Sequence, residues 1–96
     1  MMFEKSKELS YQMSENELGK ILKNMYEGKD AGKGVKKTTM IHLFGVIYAI
    51  EIRSSGITPK AICKAANMPE SYQVEINKGI ALAQYVELKP EYCNRF

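Results

Sequence analysis

The sequence predicts a single all-α domain, a bundle of four or five helices. The chain has 96 residues, a length that fits one domain with one modest core. Apolar residues make up 45% and charged residues 26%, which is ordinary for a globular protein. Apolar positions recur at spacings of three and four, the period of amphipathic helices. We expect a helical domain over residues 14–89, a partly ordered leader over residues 1–13 and a tail over residues 90–96.

The first helix is predicted to begin after Ser14. Glu17 follows three residues later, which is the spacing of a capping box in which each side chain accepts from the other residue's amide. Gly28 is predicted to end the helix. Its apolar face consists of Leu18, Ile21, Leu22 and Met25.

A basic, glycine-rich segment, GKDAGKGVKK, follows over residues 28–37. Its composition predicts a flexible, solvated loop. It differs from a nucleotide-binding phosphate loop in three ways. One residue is missing between the first glycine and Gly32-Lys33, no Ser or Thr follows that lysine, and the segment follows a helix instead of a strand.

The second helix is predicted to start at a cap on Thr38 or Thr39 and to run to the stop at residues 54–56. It is apolar nearly all round, so we expect it at the centre of the core. A buried strand is the alternative, but the length, cap and stop favour a helix. His42 lies in this run without a serine, cysteine or carboxylate at a catalytic spacing, so a packing or hydrogen-bonding role is expected.

Two further helices are separated by a tight turn. Thr58 and Pro59 match a cap and a first helical residue. Asn67 tolerates a left-handed turn, and the next helix is predicted to start at Pro69 or Glu70. Tyr72, Ile76, Gly79, Ile80 and Ala83 form its apolar face, while Ser71, Gln73, Glu75, Asn77 and Lys78 point largely outward. Apolar and polar residues alternate weakly over residues 85–88, which allows a short strand. Tyr48, Tyr72 and Tyr85 fall on apolar faces and are expected to be core aromatics.

Residues 58–84 resemble the helix-turn-helix domains of small bacterial transcriptional regulators, and residues 18–88 are similar to short HTH-like bacterial proteins. Ala66 is the small residue before the turn, and Asn67 takes the place of the usual glycine. The sequence departs from the family pattern in the helix after the turn. The apolar residues of that helix align with the pattern only if one turn residue is added or removed before Tyr72. The resemblance implies a non-enzymatic regulatory protein that binds double-stranded DNA through residues 58–84.

Under this hypothesis the helix after the turn faces the bases, and nearby lysines contact phosphates. The predicted contact residues are Lys60, Lys64, Ser71, Gln73, Asn77 and Lys78, with loop phosphate contacts from Lys33, Lys36 and Lys37. Glu70 and Glu75 oppose approach to DNA, unless Glu75 accepts from a cytosine amine. The alternatives are a helical hairpin with a solvated polar face, and a protein-interaction adaptor or accessory subunit. A homodimer is compatible with either function.

Composition argues against other classes of function. Cys63, Cys93 and His42 are too few for a structural zinc site, and we expect no cofactor and no disulfide. No apolar run is long enough to span a membrane, and residues 4–8 carry charges where a secretory signal would be apolar, so a cytoplasmic location is expected. The net charge of +3 is only mildly basic, so the placement of charge matters more than its total.

Overall fold

The computed structural model describes residues 12–28 and 37–93, which are all-α as predicted. The five helices are α1 (Glu15–Glu27), α2 (Lys37–Ile47), α3 (Ala49–Ser55), α4 (Pro59–Ala65) and α5 (Gln73–Leu82). Two 3₁₀ turns, Glu70–Tyr72 and Pro90–Tyr92, complete the regular structure of these residues. No helix in the described ranges is long and apolar enough to cross a membrane. The predicted leader up to residue 11 and the loop over residues 29–36 lie outside the described residues.

The capping box at the start of α1 is confirmed. The Ser14 hydroxyl accepts from the Glu17 amide at 3.1 Å, and the Glu17 carboxylate accepts from the Ser14 amide at 2.8 Å. These two hydrogen bonds satisfy amides that the first turn of a helix leaves without backbone partners. Gly28 ends α1 as predicted. The predicted apolar face is the face that packs inward, with Leu18, Leu22 and Met25 buried and Ile21 half-buried.

The long second helix is instead two helices, α2 and α3. The predicted cap at Thr38 or Thr39 is wrong, because α2 already begins at Lys37 and both threonines lie inside its first turn. The backbone leaves helical geometry at Tyr48, with φ −106° and ψ 18°, before α3 begins. Phe44 in α2 is fully buried, whereas Ile50 in α3 is 76% exposed. The α2 helix therefore occupies the central position that we expected for the whole run, whereas α3 buries only Ala49 and Ile52.

Glycines bring two pairs of helices into close contact. A Cβ atom placed on Gly19 of α1 would lie 2.7 Å from the Cβ of Ala65 in α4. One placed on Gly45 of α2 would lie 2.5 Å from the carbonyl oxygen of Ile76 in α5, beside Gly79. Since real Cβ atoms do not approach so closely, both crossings depend on the missing side chain. The backbone of α5 thus rests directly on α2, and this is the most extensive helix packing in the fold.

The core lies between α1, α2, α4 and α5, and Ile52 of α3 completes it. Cys63 is fully buried in it, and burial raises the pKa of its thiol. Cys93 is exposed, and both thiols are free. The core consists of Leu18, Leu22, Met25, Met40, Ile41, Phe44, Ile52, Ile62, Cys63, Ala66 and Ile76.

The segment after α5 corrects two predictions. Residues 85–88 form no strand, because the amides of Tyr85 and Val86 both donate to the Leu82 carbonyl, at 2.8 and 3.0 Å, and turn the chain. Tyr85, expected to be a core aromatic, is 82% exposed. It follows the last residue of α5 by three positions, so the apolar face of the helix does not extend to it.

Candidate nucleic-acid interface

The first helix of the predicted helix-turn-helix, α4, begins and ends as its sequence indicates. The Thr58 hydroxyl accepts from the Ala61 amide at 3.1 Å, and Pro59 is the first helical residue. Asn67 adopts the left-handed conformation, with φ 59°. This conformation reverses the chain after α4 and directs it into the next helical segment.

The second helical segment starts at Glu70, as predicted, but its first turn is a 3₁₀ turn. Regular α-helix begins only at Gln73. A 3₁₀ turn holds about 3.0 residues against about 3.6 in an α-helix, so it shifts the angular position of the side chains that follow. The segment is therefore a variant helix-turn-helix, and the 3₁₀ turn lies where its sequence departs from the family pattern.

The inner face of α5 is the predicted one. Ile76 is fully buried, and Tyr72 and Ile80 pack against the core from either side. The Tyr72 hydroxyl lies 3.5 Å from the Tyr26 hydroxyl of α1. These contacts fix the rotation of α5, so its remaining side chains have defined directions.

Glu75 does not point outward as expected but contacts α2. Its carboxylate lies 2.6 Å from Nε2 of His42 and 3.5 Å from Nζ of Lys78. The hydrogen bond with His42 lowers the pKa of Glu75 against the opposing effect of desolvation, and the charge of Lys78 adds to the lowering. His42 therefore has the hydrogen-bonding role that its sequence context favoured, and Glu75 is engaged within the fold. The two residues are 33 positions apart, so only the packing of α2 on α5 reveals the pair.

Glu70, the other acidic residue of this segment, also lies near a cation. Its carboxylate is 3.7 Å from Nζ of Lys60 in α4. Both side chains are exposed, so the pair contributes little to stability. It nevertheless places a positive charge beside the carboxylate, which reduces the repulsion that Glu70 would exert on a phosphate.

The remaining predicted contact residues lie on or beside α4 and α5. Lys64, Ser71, Asn77 and Lys78 are exposed, and Gln73 is half-buried. Gln73 and Asn77 share one side of α5 because they are four residues apart. Lys37, from the other predicted set, lies at the start of α2 with its ammonium 5.0 Å from the centre of the Tyr26 ring. Lys33 and Lys36 lie outside the described residues.

Sequence reasoning missed one exposed residue of this surface. Val74, the second residue of α5, is 52% exposed. Its position two residues before buried Ile76 places it on the opposite side of the helix, and this spacing was the signal that could have identified it. In the described part of the chain, no three His, Cys, Asp or Glu side chains are grouped as metal ligands.

Comparison with known proteins identifies the family. The sequence model of the HTH-like domain family matches residues 14–89, which covers all five helices described above. No curated protein and no solved structure gives a significant match. Because the match covers most of the sequence, the chain belongs to the HTH-like domain family.

Proposed function

We propose that the protein is a non-enzymatic regulatory protein that binds double-stranded DNA and presents the first two turns of α5 to the major groove. The observation that carries this proposal is the surface of α5, where Asn77 and Lys78 are exposed, Gln73 is half-buried, and Glu75 is held against α2. A recognition helix needs polar side chains at base edges and few uncompensated carboxylates near phosphates. Membership of the HTH-like domain family supports the same role.

Each side chain has a role that follows from its chemistry. Gln73 and Asn77 can donate and accept at once, which suits the edge of adenine in the major groove. Lys60, Lys64 and Lys78 are cations suited to phosphate contacts. In the described part of the chain, Lys64 has no acidic partner. A phosphate contact by Lys64 would therefore break no ion pair with another described residue. Lys33, Lys36 and Lys37 would extend these contacts, and a location in the cytoplasm would give access to DNA.

A fluorescence-anisotropy titration against labelled genomic duplexes at two salt concentrations tests the proposal. Binding should weaken as salt rises, because each lysine–phosphate contact releases counterions. If wild-type protein binds no duplex in a salt-dependent way, the proposal is wrong.

Two variants separate recognition of bases from contact with phosphates. Asn77→Ala should lose about 1–3 kcal/mol of discrimination at one base position. Lys78→Ala should weaken binding to all duplexes similarly and reduce the salt slope by about one unit. Equal effects of the two variants on every duplex would contradict the assigned roles.

Ile76→Ala is the matched control from the inner face of α5. Ile76 is fully buried, so the variant should lose about 2–5 kcal/mol of stability. It should bind DNA less only in proportion to the fraction unfolded, which circular dichroism measures on the same samples.

A second candidate function is a protein-interaction adaptor or accessory subunit. It is favoured by the exposed apolar side chains of Leu82, the last residue of α5, and of Tyr85 and Val86, which lie shortly after it. Clusters of exposed apolar side chains commonly mark protein interfaces. An adaptor would show no salt-dependent affinity for duplexes, so the same titration separates the two functions.

A further inference from the structure

Val74 is an apolar side chain in the middle of the polar surface that we assign to DNA. It is 52% exposed and lies between the half-buried Gln73 and the engaged Glu75. Valine restricts its own side-chain rotation in a helix and is a weaker helix former than alanine. With about half of its surface still exposed, Val74 gains only part of the stabilisation that full burial would give.

The position of Val74 relative to its neighbours defines what it can touch. Ile76 and Gly79 hold the opposite side of α5 against the core and α2. Asn77 and Lys78 follow Val74 by three and four residues, so they adjoin it on the outer surface. A duplex that met Asn77 and Lys78 would therefore also cover Val74.

The chemistry of the major groove leaves one good partner for such a side chain. The exposed edges of the bases present hydrogen-bond donors and acceptors, and the C5 methyl group of thymine is the apolar group among them. Burying valine methyl groups against polar edges alone would remove water from those edges without replacing its hydrogen bonds. Contact with a thymine methyl group removes apolar surface from water on both sides.

We infer that Val74 contacts the C5 methyl group of a thymine and so helps to determine the DNA sequence that the protein prefers. The inference rests on the proposed function and deepens it. It adds an apolar contact to the hydrogen bonds of Gln73 and Asn77, and it assigns a base type to the position beside them.

The test uses the tightest-binding duplex that wild-type protein selects from a random pool. Each thymine in turn is replaced by deoxyuridine, which lacks only the methyl group. Wild-type protein should lose about fourfold in affinity at one thymine of each bound site, the effect expected for one buried methyl group. Val74→Ser should bind the thymine and deoxyuridine duplexes equally well at that position.

Val86→Ser is the matched control. Val86 is 49% exposed, nearly the same as Val74, but it follows α5. This variant should keep the thymine preference of wild-type protein. Circular dichroism should show that both variants remain folded, as expected for substitutions at exposed positions.

The possible results separate this inference from the proposed function. If wild-type protein selects no duplex, the proposed function fails and the inference fails with it. If wild-type protein binds a duplex but no deoxyuridine weakens binding, or if Val74→Ser keeps the thymine preference, the function stands and the inference is overturned.

Discussion

The contact between His42 and Glu75 determines the electrostatic character of the proposed DNA-binding surface. The 2.6 Å separation places the two side chains within hydrogen-bonding distance, with Nε2–H of His42 as donor and the Glu75 carboxylate as acceptor. The contact joins α2 to α5 and withdraws a carboxylate from the outer surface of α5. It therefore contributes both to the packing of the two helices and to the charge that a duplex would meet.

The lowered pKa of Glu75 predicts how stability depends on pH. In the unfolded chain the pKa of Glu75 has its ordinary value of 4.5. At pH values between this pKa and the lower pKa of the folded state, the unfolded state binds more protons than the folded state. The stabilisation is therefore fully present above pH 4.5 and is lost as the pH falls through the folded pKa. Urea unfolding of wild type and Glu75→Gln should give free energies that differ at neutral pH and converge in acid.

Glu87→Gln provides the control for this measurement. Glu87 is exposed and forms no ion pair with another described residue. Its substitution should leave the free energy of unfolding unchanged at neutral pH. A difference between wild type and Glu75→Gln that stayed constant into strong acid would contradict the role of the Glu75 charge.

The sequence predicted local features of single residues well and distant pairs poorly. The hydrogen bonds of Ser14 and Thr58 and the left-handed conformation of Asn67 depend on neighbours within a few residues, so their patterns were sufficient. The partner of Glu75 depends on how α2 crosses α5, and no local spacing records that contact. Glu75 was consequently placed on the wrong side of the helix.

The close crossing of α2 and α5 governs the position of α5. Gly79 packs against the His42 carbonyl and the backbone of Gly45, whose Cα would lie 2.9 Å from a Cβ on Gly79. Helix propensity alone predicts that Gly79→Ala stabilises α5 by about 1 kcal/mol. Since the obstructing atoms belong to the backbone, we predict the opposite sign, a loss of about 1–3 kcal/mol in thermal or urea unfolding.

Ala81→Gly measures the propensity effect separately in the same helix. Ala81 is exposed, so its replacement should lose about 1 kcal/mol without a change in packing. A Gly79→Ala variant more stable than wild type would contradict the direct backbone contact between α5 and α2.

Helix limits were predictable where an amphipathic stripe or a cap marks them. The stripe of α1 identified its buried face, and the Thr58 cap identified the start of α4. The run from α2 to α3 is apolar on nearly all sides, so it contains no signal for which face is buried or where the helix breaks. The break at Tyr48 and the exposure of Ile50 could therefore not be foreseen.

The whole molecule has a polar surface over the first turns of α5 and an apolar one at its end. Leu82, Tyr85 and Val86 are exposed in the second region, but three side chains are far fewer than the roughly 20–30 residues per side of a stable interface. A homodimer formed through this region should therefore be weak. Sedimentation equilibrium should show a mass that rises with concentration for wild type.

A double variant, Tyr85→Ser with Val86→Ser, should remain at the mass of one chain over the same concentrations. Val74→Ser is the matched control, because it removes a similarly exposed valine from the other surface, and it should associate like wild type. A wild-type mass of one chain at every concentration would exclude the dimer.

An NMR titration of isotope-labelled protein with the selected duplex tests most directly whether DNA binds the outer surface of α4 and α5. We expect the largest amide shift changes at Lys64 and over residues 71–78, with small changes at exposed positions of α1 and at residues 85–86. Changes confined to residues 82–86, or spread equally over all exposed residues, would contradict it.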